Sequence, residues 1–231
     1  MVDYRNYEVD GVKMYKSDFD TNWINKHLGK SPSVIVEFGS YDGGDGVFYK
    51  KTFPEAEVYS IEACDERFKV IQNLDEKFGI HTFNYAVCEY DGFIDFYAVK
   101  DPNVMDHDYK YGSSGSLNQR TDLYKKTYSH VNEQESKKVP CTRLDTFCKN
   151  NNIEHIDFLH VDVEGAEHRV VQGFGELRPS ILWMETYLGK EYYGENAYVT
   201  SDLHKMVLDM GYEISEKTPA DTLYVLKSFK K

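Results

Sequence analysis

Cysteine is scarce in this chain of 231 residues: Cys64, Cys88, Cys141 and Cys148 are all there is, and no two form a Cys-x-x-Cys pair. That spacing excludes a zinc ribbon and a dithiol redox motif, and the four are expected as reduced, partly buried thiols. Long apolar runs are missing too. None approaches the ~20 residues that cross a bilayer, and the opening Met1-Val2-Asp3-Tyr4-Arg5 lacks the basic-then-apolar pattern of a secretory leader. The expectation is a cytoplasmic protein with no membrane partner. Positive charge is also in deficit, with 27 Lys and Arg against 39 Asp and Glu and a net charge of −12. Such a surface excludes a nucleic-acid backbone as the main partner, although not a nucleotide-linked ligand in a local pocket. There is no internal repeat and no low-complexity tract. What remains is a globular composition, 41% apolar with 19 Tyr and 13 Phe, long enough to bury a real core as one domain over residues 1–231.

The stretch that organises the chain is V-I-V-E-F-G-S-Y-D-G-G-D-G at 34–46. A β-branched apolar run reads as a strand buried on both faces, the glycines as a tight turn, and residues 47–53 as a helix stopped by Pro54. Strand, glycine turn and helix open a nucleotide-binding βαβ unit, in which backbone approaches the ligand closely. The Gly-x-Gly-x-x-Gly spacing of a dinucleotide site is absent, and Glu37 at the strand end would repel a pyrophosphate. A cofactor with a cationic end suits that carboxylate, and S-adenosylmethionine, with its ammonium and sulfonium, is such a molecule.

Residues 1–30 read as an arm or strand pair followed by a short helix through Trp23, Ile24 and Leu28, capped by Asp18 or Asp20. Strands are expected at 56–62, 81–88, 93–99, 139–143, 156–162, 180–185, 211–215 and 222–227. Helices are expected from Asp65 to Gly79 and over 121–131, 144–150, 166–174 and 202–210. The polar, tyrosine-rich stretch 100–138 interrupts this order and is expected as an insertion or lid over the substrate site. Alternating β and α with a closing pair of strands means an open, mostly parallel sheet with one antiparallel strand. Ligands then bind beyond the carboxyl ends of the strands.

Those ends carry Glu37, Glu62, Asp162 with Glu164, and Glu185. Glu62 falls about 20 residues past the glycine turn, where a carboxylate accepts from ribose hydroxyls. His160, Asp162 and Glu164 alternate and would share one face if their strand persists. They suit a general base for a substrate hydroxyl, or a carboxylate pair on a divalent cation, a choice the residues leave open. His160 reads equally as a core histidine, and Glu164 as a cap for the helix after it. Asp106-His107-Asp108 reads as solvated loop before metal cluster, Gly112–Ser116 as flexible linker or substrate donor, and Lys125-Lys126 and Lys137-Lys138 as solvated faces.

Several segments together resemble the FkbM methyltransferases: V-E-F-G-S-Y-D-G-G at 36–44, I-E-A at 61–63, N-Y-A-V at 84–87, G-S-S-G-S-L at 112–117, V-P-C-T-R-L-D-T-F at 139–147, D-F-L-H-V-D-V-E-G-A-E at 157–167 and V-V-Q-G at 170–173. The resemblance implies an α/β, Rossmann-like class I methyltransferase: a mostly parallel seven-stranded sheet with one antiparallel strand and helices on both faces. It implies S-adenosylmethionine as methyl donor and a hydroxyl of a small acceptor, a saccharide or glycosylated metabolite, as substrate. Carried over by position, Glu37, Gly39, Ser40 and Gly43 would cradle the methionine end, with Asp42 in the same cofactor-binding set. Glu62 would take the ribose with Ala63 beside it, and Tyr85 and Ala86 would border the adenine. Asp162 and Glu164 would face the methyl donor and the acceptor, with His160 as a further catalytic candidate. The family usually has lysine where this chain has His160. A non-catalytic cofactor-binding module of the same fold is the alternative, and NAD is disfavoured by the missing glycine and by Glu37.

Overall fold

The run Val34-Ile35-Val36 does form the strand about which the sheet is ordered, at its centre and buried on both faces. The computed structural model describes residues 6–100, 114–128, 133–187 and 189–229. In chain order these form β1 (Tyr7–Val9), β2 (Val12–Met14), α1 (Asn22–Leu28), β3 (Val34–Phe38), α2 (Gly44–Thr52), β4 (Glu57–Ile61), α3 (Asp65–Ile71), α4 (Leu74–Phe78) and β5 (Ile80–Phe83). They continue as β6 (Ala86–Val87), β7 (Gly92–Lys100), α5 (Asp122–Thr127), β8 (Glu133–Thr142), α6 (Leu144–Asn150), β9 (Phe158–Val161), α7 (Glu167–Gln172), β10 (Ile181–Glu185), α8 (Lys190–Tyr193), α9 (Thr200–Asp209), β11 (Tyr212–Lys217) and β12 (Asp221–Leu226).

The main sheet has seven strands in the order β11-β12-β10-β9-β3-β4-β5. β12 pairs antiparallel with both neighbours and every other pairing is parallel, so one strand of seven runs against the rest. That is the mostly parallel seven-stranded sheet with one antiparallel strand that the resemblance implies. Alternation along the strands decides which helix covers which face. Val36, Phe38, Leu159, Val161, Leu182 and Met184 pack with α6, α7 and α9. Ile35, Val58, Phe158, Ile181 and Trp183 pack with α1, α2 and the α3–α4 pair. Burying each such side chain contributes about 1.5–3 kcal/mol, and the continuous apolar strands are what make both faces fit for helices. Glu37 and His160, register partners across β3 and β9, fall on the α2 face.

Three expectations need correction. The strand read over 81–88 is two: β5 closes the main sheet, and β6 pairs with β8 in a separate three-stranded sheet ordered β6-β8-β7. Between them Asn84 donates its side-chain amide to the carbonyls of Glu62 (2.8 Å) and Ala63 (3.2 Å), which holds the crossing. The helix read from Asp65 to Gly79 breaks at Gln72-Asn73, and both Ile71 and Leu74 then close on Gly43. The strand read over 139–143 begins at Glu133, because nine residue pairs join β7 to β8 and Lys100 meets Glu133 (2.5 Å) and Glu135 (3.5 Å) across the ribbon. Lys138 lies on the solvated face as expected, in an exposed pair with Asp95 across the ribbon, whereas Lys137 is half-buried and pairs with Asp65 of α3.

The N-terminal arm is a β1–β2 hairpin, and α1 follows with the Asn22 amide donating to Asp20 (2.9 Å). Asp106-His107-Asp108 and most of the 100–113 stretch lie outside the described residues. Within the described part of the insertion, Ser116 donates to the Glu164 carbonyl (2.6 Å) and Asn118 to that of Gly165 (2.9 Å). The four cysteines are buried and form no disulfide. No helix among the described residues is long and apolar enough to cross a membrane.

Candidate active site

The glycine turn brings β3, β4 and β9 within backbone contact. The amides of Gly39 (3.0 Å) and Ser40 (3.2 Å) both donate to the Ile61 carbonyl, and the Asp162 amide donates to that of Phe38 (3.0 Å). Gly39 has φ +86°, and a Cβ there would lie 1.7 Å from the Asp162 carbonyl oxygen. Only glycine fits, for steric as well as conformational reasons. Gly39→Ala is expected to cost about 3 kcal/mol or more of stability. Urea unfolding checks this, and a loss under about 1 kcal/mol would mean the turn relaxes freely.

The arm closes over the turn from outside. A Cβ on Gly44 would meet the Tyr15 carbonyl oxygen at 1.9 Å, so backbone lies on backbone there. The Tyr15 amide donates to Asp42 Oδ2 (2.9 Å) and the Gly44 amide to Asp42 Oδ1 (3.1 Å). Asp42 therefore ties arm to turn; burial pushes its carboxyl up to about 6 in spite of the two amide bonds. Burial also raises the Tyr15 phenol to about 12, followed by the repulsion of Asp162, Asp45, Asp18 and Asp221 nearby.

Glu62, just past β4, accepts from the Tyr41 amide on Oε2 (2.8 Å) and from the Cys64 amide on Oε1 (2.7 Å). Its carboxylate is thus fixed in orientation at the rim, with a lone pair on each oxygen still unclaimed by those bonds. Burial raises its pKa and the two amides oppose the rise. Ser40 donates to the Ile61 carbonyl (3.2 Å), Tyr85 is part-exposed and stacks on Phe83, and Ala86 is buried in β6 behind it.

His160, Asp162 and Glu164 do not share a face. β9 ends at Val161, and the chain turns through Glu164 (φ +55°) and Gly165 (φ +89°). His160 stays under the turn, buried, with Nδ1 at 3.1 Å from the Tyr49 hydroxyl and beside Glu37 and Asp45. Burial lowers its pKa and keeps the imidazole neutral. Burial raises Glu37 to about 8, helped by Asp45 and opposed by the Ser60 and Ser40 hydroxyls. Glu164 lies on the other side, where it accepts from the Tyr193 hydroxyl. Asp162 lies between, its pKa well above the carboxylate range because it is buried and faces Glu164, Glu167 and Asp221.

Sequence reading missed several participants. Glu167, fully buried, accepts from the Val163 (3.1 Å) and Gly165 (3.3 Å) amides on Oε1 and so holds the turn that carries Glu164. It does not cap α7 through the helix N-terminus as Glu164 was expected to; its place in D-V-E-G-A-E was the available signal. Asp45 inside the glycine run, Asp221 on β12 and the aromatic group Tyr124, Tyr128, Tyr192 and Tyr193 had no sequence signal, being joined only by the fold.

The carboxylates fit a cationic cofactor. Among the described residues none of Glu37, Asp42, Glu62, Asp162, Glu164, Glu167 or Glu185 takes part in an ion pair. The buried Oε2 atoms of Glu167 and Glu185 have no hydrogen-bond partner at all. Arg67 is the counter-charge near Asp42 and Glu62, and the remaining buried acid, Glu167 and Glu185 above all, suits a cation from outside. An ammonium and a sulfonium answer it; a pyrophosphate would not.

The chain is similar to several known proteins along most of its length. The 2-O-methyltransferase NoeI of Sinorhizobium fredii is 28% identical over 186 residues, which cover 79% of this chain and 72% of that protein. Among solved structures, magnesium protoporphyrin IX methyltransferase from Synechocystis with bound SAM overlays with a TM-score of 0.44 at 11% identity, covering 90% of this chain and 76% of that one. The Methanococcus jannaschii fibrillarin pre-rRNA processing protein overlays at 0.45 and 10% identity, covering 87% and 69%. The family profile described as the methyltransferase FkbM domain matches residues 36–214, more than three-quarters of the chain. The chain belongs to the FkbM methyltransferase family and is an S-adenosylmethionine-dependent methyltransferase.

Proposed function

We propose that the protein methylates a hydroxyl of a small acceptor, a saccharide or a glycosylated metabolite. The observation that carries this is the pairing, at the ends of β9 and β10, of uncompensated carboxylates with a wall of tyrosines. Tyr193 donates to Glu164 and packs on Tyr124 (5.3 Å between ring centroids), and Tyr192 continues the wall to Tyr128 (6.4 Å) and the exposed Tyr187 (6.2 Å). Tyr193 and Tyr124 are buried behind this wall, so the faces open to a sugar ring, whose C–H face stacks while its hydroxyls take hydrogen bonds, are those of Tyr187, Tyr192 and Tyr128. The relative's printed 2-O specificity supports oxygen as the methylated atom.

Gly39, Ser40, Asp42 and Gly43 hold the methionine end in this reading, with Glu37 buried beneath them on the α2 face; Glu62 and Ala63 hold the ribose, and Tyr85 and Ala86 the adenine. Bound there, S-adenosylmethionine supplies a methyl group on a cationic sulfur. The chain's own contribution is alignment and proton removal. Asp162, at the end of β9 and facing Glu164, is the group assigned here to take the hydroxyl proton. Glu164, held by Tyr193, orients the acceptor. His160 is placed too far under the turn for that task, with Tyr49 on its Nδ1. The segment 114–128, bonded to the Glu164–Gly165 turn, forms the inner side of the lid.

A mass-spectrometric screen of free and lipid-linked sugars with the methyl donor tests the reading. One methyl gained on an acceptor oxygen is expected. Binding of S-adenosylhomocysteine with no acceptor turned over would favour the non-catalytic module. Asp162→Asn is expected to lower kcat by about 10²-fold or more with cofactor affinity little changed. Unaltered kcat would remove Asp162 from proton transfer.

A further inference from the structure

We propose that Glu37, Asp45 and His160 form a divalent transition-metal site beneath the glycine turn, one that takes zinc ahead of manganese and leaves magnesium unbound. The three come from different elements: the end of β3, the first turn of α2, and β9. One ligand atom from each lies within 4.8 Å of the others. A tetrahedral zinc with bonds of about 2.1 Å spaces its ligands about 3.4 Å apart, so modest side-chain rotations close the set.

Burial makes the arrangement costly without a cation. Glu37, Asp45 and His160 are 2%, 7% and 4% exposed, and no lysine or arginine among the described residues pairs with either carboxylate. Two carboxylates, a neutral imidazole and a divalent ion sum to zero charge. Each side chain is also steadied from behind, as metal ligands are. Ser60 donates to Glu37 Oε2 (2.7 Å), Ser17 donates amide (2.9 Å) and hydroxyl (2.8 Å) to Asp45 Oδ1, and Tyr49 holds His160 Nδ1. Asp45 Oδ2 and His160 Nε2 are left with no hydrogen bond among the described residues, though both side chains are more than nine-tenths buried. Gly46 keeps the neighbouring space clear: a Cβ there would lie 2.4 Å from Ser60 Oγ and 3.0 Å from Glu37 Oε2.

The donor set selects the metal. Imidazole with carboxylates suits zinc, manganese and iron, zinc above manganese in the usual order, while magnesium prefers oxygen alone. The ion would tie β3, α2 and β9 together under the cofactor crevice. Glu62 and Asp162 stay outside the set, and the inference does not depend on the acceptor.

The test uses the full chain, stripped with EDTA and dialysed. Zinc is titrated in competition with a chromophoric chelator, and manganese by the loss of its free-ion magnetic-resonance signal. One zinc per chain at micromolar affinity or tighter is expected, with weaker manganese binding, a higher Tm on zinc addition and no response to millimolar magnesium. His160→Ala should abolish uptake. Tyr49→Phe, which keeps the ring and loses only the hydroxyl, should weaken it about 10–100-fold with an unchanged circular-dichroism spectrum. Failure of stripped wild-type protein to take up zinc at micromolar free metal overturns the proposal, whatever the variants do. So does uptake that His160→Ala and Tyr49→Phe leave untouched, since the metal would then be held elsewhere.

Discussion

Glu62→Gln should weaken S-adenosylhomocysteine binding by about 10²–10³-fold, each lost bond to the charged carboxylate being worth roughly 1.5–3 kcal/mol. The expectation rests on how completely this carboxylate is specified. Its two oxygens accept from the Tyr41 and Cys64 amides, and Tyr41 itself sits at φ +50° with Arg67 over its ring. Glutamine presents one oxygen and one NH2, so one backbone amide faces another donor, and the ribose loses an acceptor at the same atom. Part of the damage falls on the apo fold: an unsatisfied buried donor costs about 1–3 kcal/mol. Calorimetric titration of the folded variant, with urea unfolding alongside, separates the two. A variant that loses stability but binds the ligand as wild type does would show that Glu62 only shapes the turn, and the ribose assignment would fall with it.

The legibility of this chain followed the range of each interaction. That the main sheet is open and mostly parallel with one antiparallel strand could be inferred because its strands are short apolar runs separated by helices of clear period, and parallel connections leave few arrangements. The glycine turn was legible for the same reason, its conformation being written in neighbouring residues. The second sheet was not. β6 is two residues long and owes its existence to pairing with β8, more than fifty positions later, and β8 starts in Glu-Gln-Glu-Ser-Lys-Lys, whose strand state depends on β7 opposite. The site divides along the same line. Glu37, Glu62 and Asp162 announce themselves as carboxylates ending apolar strands. The regrouping of His160 with Glu37 and Asp45, away from Glu164, hinges on where β9 stops and on the positive φ of Glu164, which no periodicity encodes. Asp45 was hidden in a run read for its glycines, and the tyrosines near Glu164 meet only once α5 and α8 are packed together.

Stability should fall as pH rises through neutrality, and Glu167→Gln should remove much of the fall. Glu167 is fully buried against Asp162, Glu164, Glu185 and Tyr198; burial, and then Glu164, push its carboxyl from 4.5 up to about 8. Between those values the folded chain keeps a proton that the unfolded chain has released. The unfolding free energy then decreases with pH, because the native state binds more protons. The contribution is whole below about 4.5 and is lost as pH climbs through about 8. Going from about pH 6 to about pH 9 should therefore cost the protein on the order of 2–3 kcal/mol, with Asp162 and Glu185 acting in the same direction. Glutamine reproduces the protonated form: its Oε1 can still accept from the Val163 and Gly165 amides, and its NH2 fills the place of the orphaned Oε2. Urea unfolding at both pH values should show the variant close to wild type at the lower and more stable at the higher. Equal slopes would mean that Glu167 is ionised in the folded protein across this range.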